Sequence, residues 1–354
     1  MKIIAFLLPQ FHRIPENDRW WGEGFTEWTN TRKATALYPG HMQPKEPLDE
    51  YYYDLTDPTT RSWQAELAQA YGIYGFCYYH YWFGGKRLLE KPFEEVLRLG
   101  EPGIPFCLSW ANEPWTRKWD GGEQHVLMPQ WYGGEPEWKA HFRELLPAFR
   151  DERYIRIEGK PVFVLYRPGS IPHCEEMIAC WNELARGSGL PGVYFIRTLG
   201  GFPVPRQSGF DASLEFEPHY TFANNTAPRL WSELKLPKGE HLVLDYDQIW
   251  EAILSRSPRR MGGQVFPGAF VNWDNTPRLG LRGQSCIGAA PDKFSWYLAK
   301  QIERAAGLYG SEYLFLNAWN EWAEGAYLEP DRRDGYAYLK AVKRALIRTG
   351  YWKG

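Results

Sequence analysis

The chain has 354 residues, with 41 basic and 43 acidic side chains and a formal net charge of −2 at pH 7. This balance argues against a nucleic-acid partner or an anionic membrane surface, because both favour an excess of basic residues. Aromatic residues make up 17% of the chain and include 18 tryptophans. A core rarely needs so many indoles, since each buried indole N–H wants a partner, so the composition favours an aromatic ligand-binding cleft.

The N-terminal apolar run is interrupted by Pro9, Gln10 and His12. It therefore predicts a first strand rather than a signal peptide, and no window is long enough for a transmembrane helix. The cysteines are odd in number and form no C-x-x-C pair, which is typical of a reducing compartment without disulfides or a zinc site. We expect a cytoplasmic protein with no direct membrane insertion. The cysteines are Cys77, Cys107, Cys174, Cys180 and Cys286.

Short apolar runs that predict strands alternate with amphipathic stretches that predict helices. This alternation implies parallel pairing, and eight units fit a single-domain (β/α)₈ TIM barrel over residues 1–354, with long loops after the strands. A doubly wound open sheet is the alternative, but no glycine-rich phosphate loop follows any strand. The predicted strands are 2–11, 75–82, 105–113, 160–168, 192–200, 212–219, 268–275 and 312–320, and the predicted helices are 58–72, 136–151, 174–187, 292–307 and 336–350.

The longest non-periodic stretches follow predicted strands, at 12–57, 114–134 and 219–240. In a (β/α)₈ barrel the loops after the strands form the catalytic face, so these stretches are expected to surround the site.

Most predicted strands end in amide, carboxylate and aromatic side chains, a combination that suits a saccharide. Indole faces stack on sugar rings, while sugar hydroxyls need paired donors and acceptors. Structural alternatives remain: His80 could be a buried core histidine, and Trp110 and Trp115 could pack loops against the barrel. The candidate substrate-binding residues are Gln10, Glu27, Trp28, Asn30, His80, Tyr81, Trp82, Trp110, Asn112, Glu113, Trp115, Tyr166, Arg167, Glu217, His219, Asn272, Trp273, Asp274, Asn317, Trp319 and Asn320.

The segment "NAWNEWAEG" (317–325) places Glu321 and Glu324 three residues apart, between tryptophans. In an extended strand these positions face opposite sides, so the pair shares a site only if the chain coils near Glu321, which Gly325 allows. Cleavage of a glycosidic bond uses two carboxyl groups, and unequal burial keeps one protonated. The alternative is structural: Glu324 caps a helix and Glu321 pairs with an arginine.

"NEWAEG" resembles the N-E-W-x-E-G signature of glycoside hydrolase family 99, the endo-α-mannosidases. "FLLPQFHRIPENDRWWGEGFTEWTN", "YGFCYYHYWF" and "LSWANEPWTRKWDG" resemble the family 99-like WbsX-type glycosyltransferases of bacterial polysaccharide and O-antigen clusters. The resemblance runs along essentially the whole chain and implies a (β/α)₈ barrel. It further implies that Glu321 is an ionised base acting on the sugar 2-hydroxyl, which then forms a 1,2-anhydro sugar. Glu324 would be the protonated general acid, and afterwards the base for water.

The first functional hypothesis is therefore a glycoside hydrolase-like enzyme with a retaining two-glutamate mechanism, acting on a bacterial polysaccharide or oligosaccharide. The alternatives are a glycosyltransferase of O-antigen or surface-polysaccharide biosynthesis and a non-catalytic glycan-binding barrel. A nucleotide-sugar transferase usually has a Rossmann-like domain, often with a metal-binding D-x-D motif, and neither is expected here. We expect no cofactor and no metal, because the sequence has no H-E-x-x-H and no paired cysteines.

Overall fold

A computed structural model describes residues 1–117, 122–204, 208–224, 242–259 and 261–352. Parallel strands in these residues form a nearly closed barrel in the order β7–β6–β5–β4–β3–β2–β1–β9–β8. The predicted (β/α)₈ class is confirmed. In chain order the barrel strands are β1 (Lys2–Leu7), β2 (Ile73–Phe83), β3 (Phe106–Trp110), β4 (Lys160–Leu165), β5 (Tyr194–Leu199), β6 (Ala212–Glu215), β7 (Gln264–Phe266), β8 (Gly268–Phe270) and β9 (Tyr313–Asn317).

The seventh position of the barrel is a strand split at Pro267. Before the proline, β7 pairs with β6, and after it, β8 pairs with β9. Proline has no backbone N–H to donate, so the ladder breaks there and the chain changes partner. The predicted strand at 268–275 is therefore placed too late, since the observed strand residues run from Gln264 to Phe270.

Aromatic rings fill the interior of the barrel. Phe6 meets Phe216 at a ring-centroid distance of 5.0 Å, Tyr79 at 5.4 Å and Phe315 at 6.0 Å. These rings come from four different strands or strand ends, so the lumen is a packed core and the ligand space lies above it, at the carboxyl ends of the strands.

The helices surround the barrel, and all five predicted helices are present with bounds shifted by no more than two residues. Asp57 caps α3, since its carboxylate accepts from the Thr59 backbone N–H at 2.8 Å. The helices are α1 (Pro15–Trp21), α2 (Glu27–Lys33), α3 (Pro58–Ala70), α4 (Lys91–Leu99), α5 (Glu135–Arg150), α6 (Cys174–Gly187), α7 (His219–Asn224), α8 (Tyr246–Ser255), α9 (Thr276–Leu279), α10 (Pro291–Gly307) and α11 (Ala337–Arg348).

The stretches predicted as long loops contain local structure. Residues 12–57 hold α1, α2 and a 3₁₀ turn, residues 114–134 hold a two-stranded hairpin, and residues 219–224 form α7, while 225–240 lie outside the described residues. The hairpin pairs Trp115–Arg117 with Gly122–Met128. Two further short strands, Lys86–Leu88 and Arg156–Ile157, pair with barrel strands. The remaining short strands form two separate pairs, Leu242–Asp245 with Gln284–Ile287 and Asn320–Glu321 with Ala326–Tyr327. Among the described residues, no helix combines the length and apolar character that a membrane span requires.

Candidate active site

The two motif glutamates lie in one cleft because the chain turns sharply after β9. Glu321 ends a two-residue strand, Trp322–Glu324 forms one 3₁₀ turn, and Gly325 adopts a left-handed conformation with φ of 64°. A Cβ atom on Gly325 would lie 2.9 Å from the Asp274 Cβ atom, so glycine is required both for its conformation and for space. This turn brings side chains at positions i and i+3 to the same side.

The side chain of Arg278, from α9, binds both glutamates and a third carboxylate. Its Nη2 atom donates to Glu321 Oε2 at 3.0 Å, its Nη1 atom donates to Glu324 Oε1, and its Nε atom donates to Glu27 Oε1 at 2.8 Å. Only 11% of the Arg278 side chain is exposed, against 6% for Glu321 and 21% for Glu324. The arginine partner of the structural alternative therefore exists, but it sits inside the cleft and holds both acids.

One cation facing three carboxylates leaves an excess of negative charge. Burial raises the pKa of Glu321 to about 8, the charge of Glu324 adds to this effect, and Arg278 opposes it. Burial alone would lower the pKa of Arg278, but Glu27, Glu324 and Glu321 raise it well above its ordinary value, so the guanidinium stays charged. Burial and the neighbouring Glu324 carboxylate therefore favour the protonated form of Glu321 in the free protein. This direction runs against the ionised Glu321 that the resemblance implies, because desolvation disfavours the anion, and the assignment of the base stays a prediction.

The cleft has a volume of about 310 Å³ and is lined by residues from several strand ends. Eight of the predicted site residues line it: Gln10, Tyr81, Glu113, Trp115, Tyr166, His219, Glu321 and Glu324. Sequence reasoning missed Arg278, Trp21 and Tyr79, which also line it. Tyr79 could have been found by strand alternation, since it lies two residues before Tyr81 on β2 and faces the same side.

Three of the predicted residues act behind the cleft wall. Asn112 accepts from the Arg167 backbone N–H at 2.7 Å and donates to the Arg167 carbonyl at 2.8 Å, which ties β3 to β4. The Arg167 side chain pairs with Glu113 at 2.5 Å beside the cleft. Asn320 makes the same double contact with the backbone of Leu8, at 2.7 and 3.0 Å.

His80, Trp82 and Trp110 form a cluster between the barrel and α5. His80 Nε2 lies 2.8 Å from His141 Nε2, and desolvation lowers the pKa of His80 to about 3. The Trp82 ring stacks on His141 at 4.6 Å, and Trp110 donates to the Trp82 carbonyl at 3.2 Å. These three residues do not line the cleft, so the structural alternative describes the packing of His80 and Trp110.

Two other tryptophans predicted to line the groove are also buried elsewhere. The Trp28 indole donates to the Tyr53 carbonyl at 2.8 Å, and Trp273, which is 2% exposed, packs edge-on against His219 at 4.5 Å. Of the six tryptophans among the candidate substrate-binding residues, Trp115 alone lines the cleft within the described chain.

Glu217 and Asp274 each bind other side chains outside the cleft. Glu217 binds Arg256 and accepts from the Thr221 backbone at 3.2 Å, whereas Asp274 lies 2.9 Å from His41 Nε2 and accepts from Gln43 at 2.7 Å. Among the remaining predicted residues, Asn30 donates to Glu27 at 3.5 Å, Trp319 and Asn317 are buried, and Asn272 is half-buried outside the set that lines the cleft.

A D-x-D triplet does occur, at Asp245 and Asp247, contrary to expectation. Asp245 caps α8 through the Gln248 backbone N–H at 2.9 Å, and Asp247 binds Lys293 at 2.5 Å and Tyr297 at 2.9 Å. The triplet is thus engaged in structural contacts away from the cleft. Within the described residues no group of three or more histidine, cysteine or acidic side chains is placed to hold a metal ion.

The barrel, its aromatic cleft and the paired carboxylates are the features expected of a carbohydrate-active protein. The model of the family described as "Glycosyltransferase WbsX" matches residues 3–342, so the chain belongs to the WbsX glycosyltransferase family.

Curated relatives include the uncharacterized protein WxcX from two strains of Xanthomonas campestris pv. campestris. Each is 39% identical over 353 residues, which cover 98% of this chain and 50% of the relative. The chain thus spans about half the length of these relatives.

Solved structures show the same fold at low sequence identity. The GH99 endo-alpha-mannosidase from Bacteroides thetaiotaomicron has a TM-score of 0.54 at 16% identity, covering 99% of this chain and 96% of its own. A structure described as a glycoside hydrolase-like protein has a TM-score of 0.59 at 13% identity, covering 97% of this chain and 93% of its own. These similarities concern the barrel fold.

Proposed function

We propose that the protein acts at a glycosidic bond of a bacterial polysaccharide or its oligosaccharide precursor, with Glu321 and Glu324 as the reacting carboxylates. One observation carries the proposal: both acids bind the same guanidinium in an aromatic cleft at the carboxyl ends of the barrel strands. Two adjacent carboxyl groups at such a position match the requirements of glycosidic chemistry. We further propose that residues 1–354 form one catalytic barrel domain.

The pair supplies an acid and a base because it binds one proton near neutral pH. Both acids bind Arg278, and the pKa of Glu321 is raised to about 8. The singly protonated pair is therefore the form expected at neutral pH. The proton belongs to the pair rather than to one residue, so it can serve the departing oxygen from either carboxyl group. One member then protonates the leaving group while the other removes a proton from a hydroxyl.

We assign the base role to Glu321 and the acid role to Glu324, as the likeness to the endo-α-mannosidases implies. The raised pKa of Glu321 supports its role, because a base with a pKa near the working pH draws a proton from a hydroxyl better than an ordinary carboxylate does. Glu324 is the more exposed of the two, at 21%, which suits a group that must reach a leaving group and later a water molecule. The active form carries the shared proton on Glu324.

The walls of the cleft suit a sugar. Trp115 packs edge-on against Tyr81 at 5.2 Å, and Tyr166 lines the same space. Gln10 and Glu113 add amide and carboxylate groups. Stacking faces for C–H surfaces thus lie beside partners for hydroxyl groups.

Transfer to an acceptor sugar is the second candidate, and the family description favours it. The same glutamate pair supports both outcomes, which differ in whether water or an acceptor hydroxyl receives the glycosyl group. In both cases the bond between the donor's anomeric carbon and the leaving oxygen breaks. A departing sugar hydroxyl takes its proton from the acid, whereas the diphosphate of a nucleotide sugar leaves as an anion.

The test is to incubate the protein with oligosaccharides from the surface polysaccharide of its host, with and without nucleotide sugars. Release of reducing ends without a nucleotide sugar shows hydrolysis, whereas chain extension only with a nucleotide sugar shows transfer. Glu321→Gln and Glu324→Gln are each expected to lose at least about 10²-fold in rate. The control is Glu312→Gln, whose carboxylate is 64% exposed and pairs with Lys2 at the amino ends of the barrel strands, opposite to the cleft. Binding without bond cleavage or formation would identify a non-catalytic glycan-binding barrel.

A further inference from the structure

A second cavity, of about 450 Å³, lies on the far side of the glutamate motif. Its walls come from the segment 47–53, from α3, from the end of the motif and from the start of α11. Within the described residues it shares no lining residue with the cleft. Five aromatic side chains, which we call the aromatic cage, line it: Tyr51, Tyr53, Trp63, Trp322 and Tyr336.

The cage combines buried inner rings with exposed outer rings. Tyr53 and Trp322 are 5% and 1% exposed, whereas Tyr51 and Tyr336 are 39% and 37% exposed. Trp63 meets Tyr51 edge-on at 5.2 Å and Tyr53 at 6.3 Å. The inner rings are fixed by packing, while the outer rings are accessible, so the cavity opens to solvent through an aromatic entrance.

The Glu329 carboxylate lines the base of the cage and is 3% exposed. It accepts from Trp322 Nε1 at 2.6 Å, from the Tyr53 hydroxyl at 2.8 Å and from Gln64 Nε2 at 2.7 Å. All three donors are neutral, and no ion pair to Glu329 occurs in the part of the chain that the structure describes. Burial raises the pKa of Glu329 to about 7, and the hydrogen bonds to its carboxylate oppose that rise. Burying a carboxylate without a cation is costly, and hydrogen bonds offset that cost in part.

The lining has the composition of a site for an organic cation. Besides the rings it contains two acids, Glu329 and the exposed Asp49, and none of its described members is lysine, arginine or histidine. Aromatic faces attract cations through the ring quadrupole, and cages of such rings hold quaternary ammonium groups. A neutral sugar would need free donors, but those of Tyr53, Gln64 and Trp322 already point to Glu329.

We propose that the aromatic cage and Glu329 form a binding site for a small organic cation that carries an alkylated or primary ammonium group. The ammonium enters between Tyr51 and Tyr336, lies against the indole of Trp63, and neutralises the Glu329 carboxylate. The site is independent of the glycosidic chemistry proposed above. Its inner wall, Trp322, follows Glu321 directly in the chain, so an occupant stabilises the turn that carries the glutamate pair.

The test is titration calorimetry of the full chain with choline and with 3,3-dimethylbutan-1-ol, its uncharged isostere, at matched ionic strength. Choline is expected to bind at least about tenfold more tightly than the isostere, because only the cation gains from the rings and the carboxylate. Glu329→Gln is expected to remove that preference, and Glu312→Gln, a distant surface change, to leave it intact. Equal binding of choline and the isostere would overturn the proposal. Tighter binding of mannose than of choline would overturn it as well.

A rim variant keeps the test decisive if Glu329→Gln fails to fold, since Glu329 holds three buried donors. Tyr336 is exposed and is therefore replaceable without loss of the core. Tyr336→Ala is expected to weaken choline binding severalfold while leaving the isostere nearly unchanged. Choline binding that is unchanged in Tyr336→Ala is a result against a cation site. So is the absence of choline binding to the wild type at concentrations below those that cause general salt effects.

Discussion

Arg278 is the residue on which the glutamate pair depends. It donates to Glu27, Glu321 and Glu324, and two of these three carboxylates are almost fully buried. A sequence cannot show this arrangement, because Arg278 lies 43 residues before Glu321 and belongs to a four-residue helix without a motif of its own.

Arg278→Gln is expected to destabilise the fold by about 3–5 kcal/mol, because it leaves buried carboxylates without a cation. The measurement is the free energy of unfolding from urea denaturation. The control is Arg332→Gln, whose partner Glu46 is 39% exposed and whose own side chain is 66% exposed, and which is expected to cost at most about 1 kcal/mol. Equal stability of the two variants would show that Arg278 does not hold the acids together.

The pH dependence of the reaction follows from the pKa of the same pair. Activity needs one proton on the pair, and this form is lost as the pH rises through about 8, where the pair gives up its shared proton. The value of kcat/KM on an ordinary glycoside is therefore expected to fall about tenfold per pH unit above that point. On a glycoside with a good leaving group, which needs no proton, the fall should disappear. A rate that keeps rising above pH 9, roughly one unit beyond that pKa, speaks against a shared proton.

At the scale of elements, the sequence predicts the strands and helices of the barrel better than it predicts which side chains line the cleft. Eight apolar runs and five amphipathic stretches correspond to observed strands and helices, because burial sets the period of each pattern. The exception is the seventh strand, where Pro267 splits the pairing in a way that an apolar run does not show.

Strand ends alone do not tell which side chain reaches the cleft. His80 and Tyr81 are neighbours on β2, yet Tyr81 lines the cleft and His80 binds His141 behind it. Successive side chains point to opposite faces of a strand, and a polar strand end therefore places about half of its residues in the site. Asn112 and Asn320 are polar because they tie strand ends together, which is a structural reason that a sequence pattern does not distinguish from ligand binding.

Among the tryptophans that the sequence predicts in the site, Trp115 is the one whose position suits sugar stacking. It lines the cleft from the hairpin that follows β3, whereas Trp28, Trp110 and Trp273 pack elsewhere. Trp115→Ala is expected to weaken saccharide binding by about 1–3 kcal/mol, the scale of a large apolar contact, with little change in stability. Trp131→Ala is the matched control, since Trp131 is 60% exposed and lies outside the set that lines the cleft. Equal saccharide affinity in both variants would show that Trp115 packs a loop against the barrel and does not bind the saccharide.

At the scale of the whole molecule, the fold, the family and the site agree on carbohydrate chemistry. The chain belongs to the WbsX glycosyltransferase family and has the barrel of a glycoside hydrolase-like protein. The cleft at the carboxyl ends of the strands holds the glutamate pair of the "NEWAEG" segment. The central claim is that this pair reacts at the glycosidic bond, Glu321 as base and Glu324 as acid.

The most direct measurement compares Glu321→Gln and Glu324→Gln on an ordinary glycoside and on one with a good leaving group. On the ordinary glycoside both variants should lose at least about 10²-fold in kcat. On the activated glycoside Glu324→Gln should recover much of its rate, because no proton is needed, and Glu321→Gln should not, because its base acts on the sugar itself. Full activity of both variants on the ordinary glycoside would contradict the claim and make the pair a structural feature of the cleft.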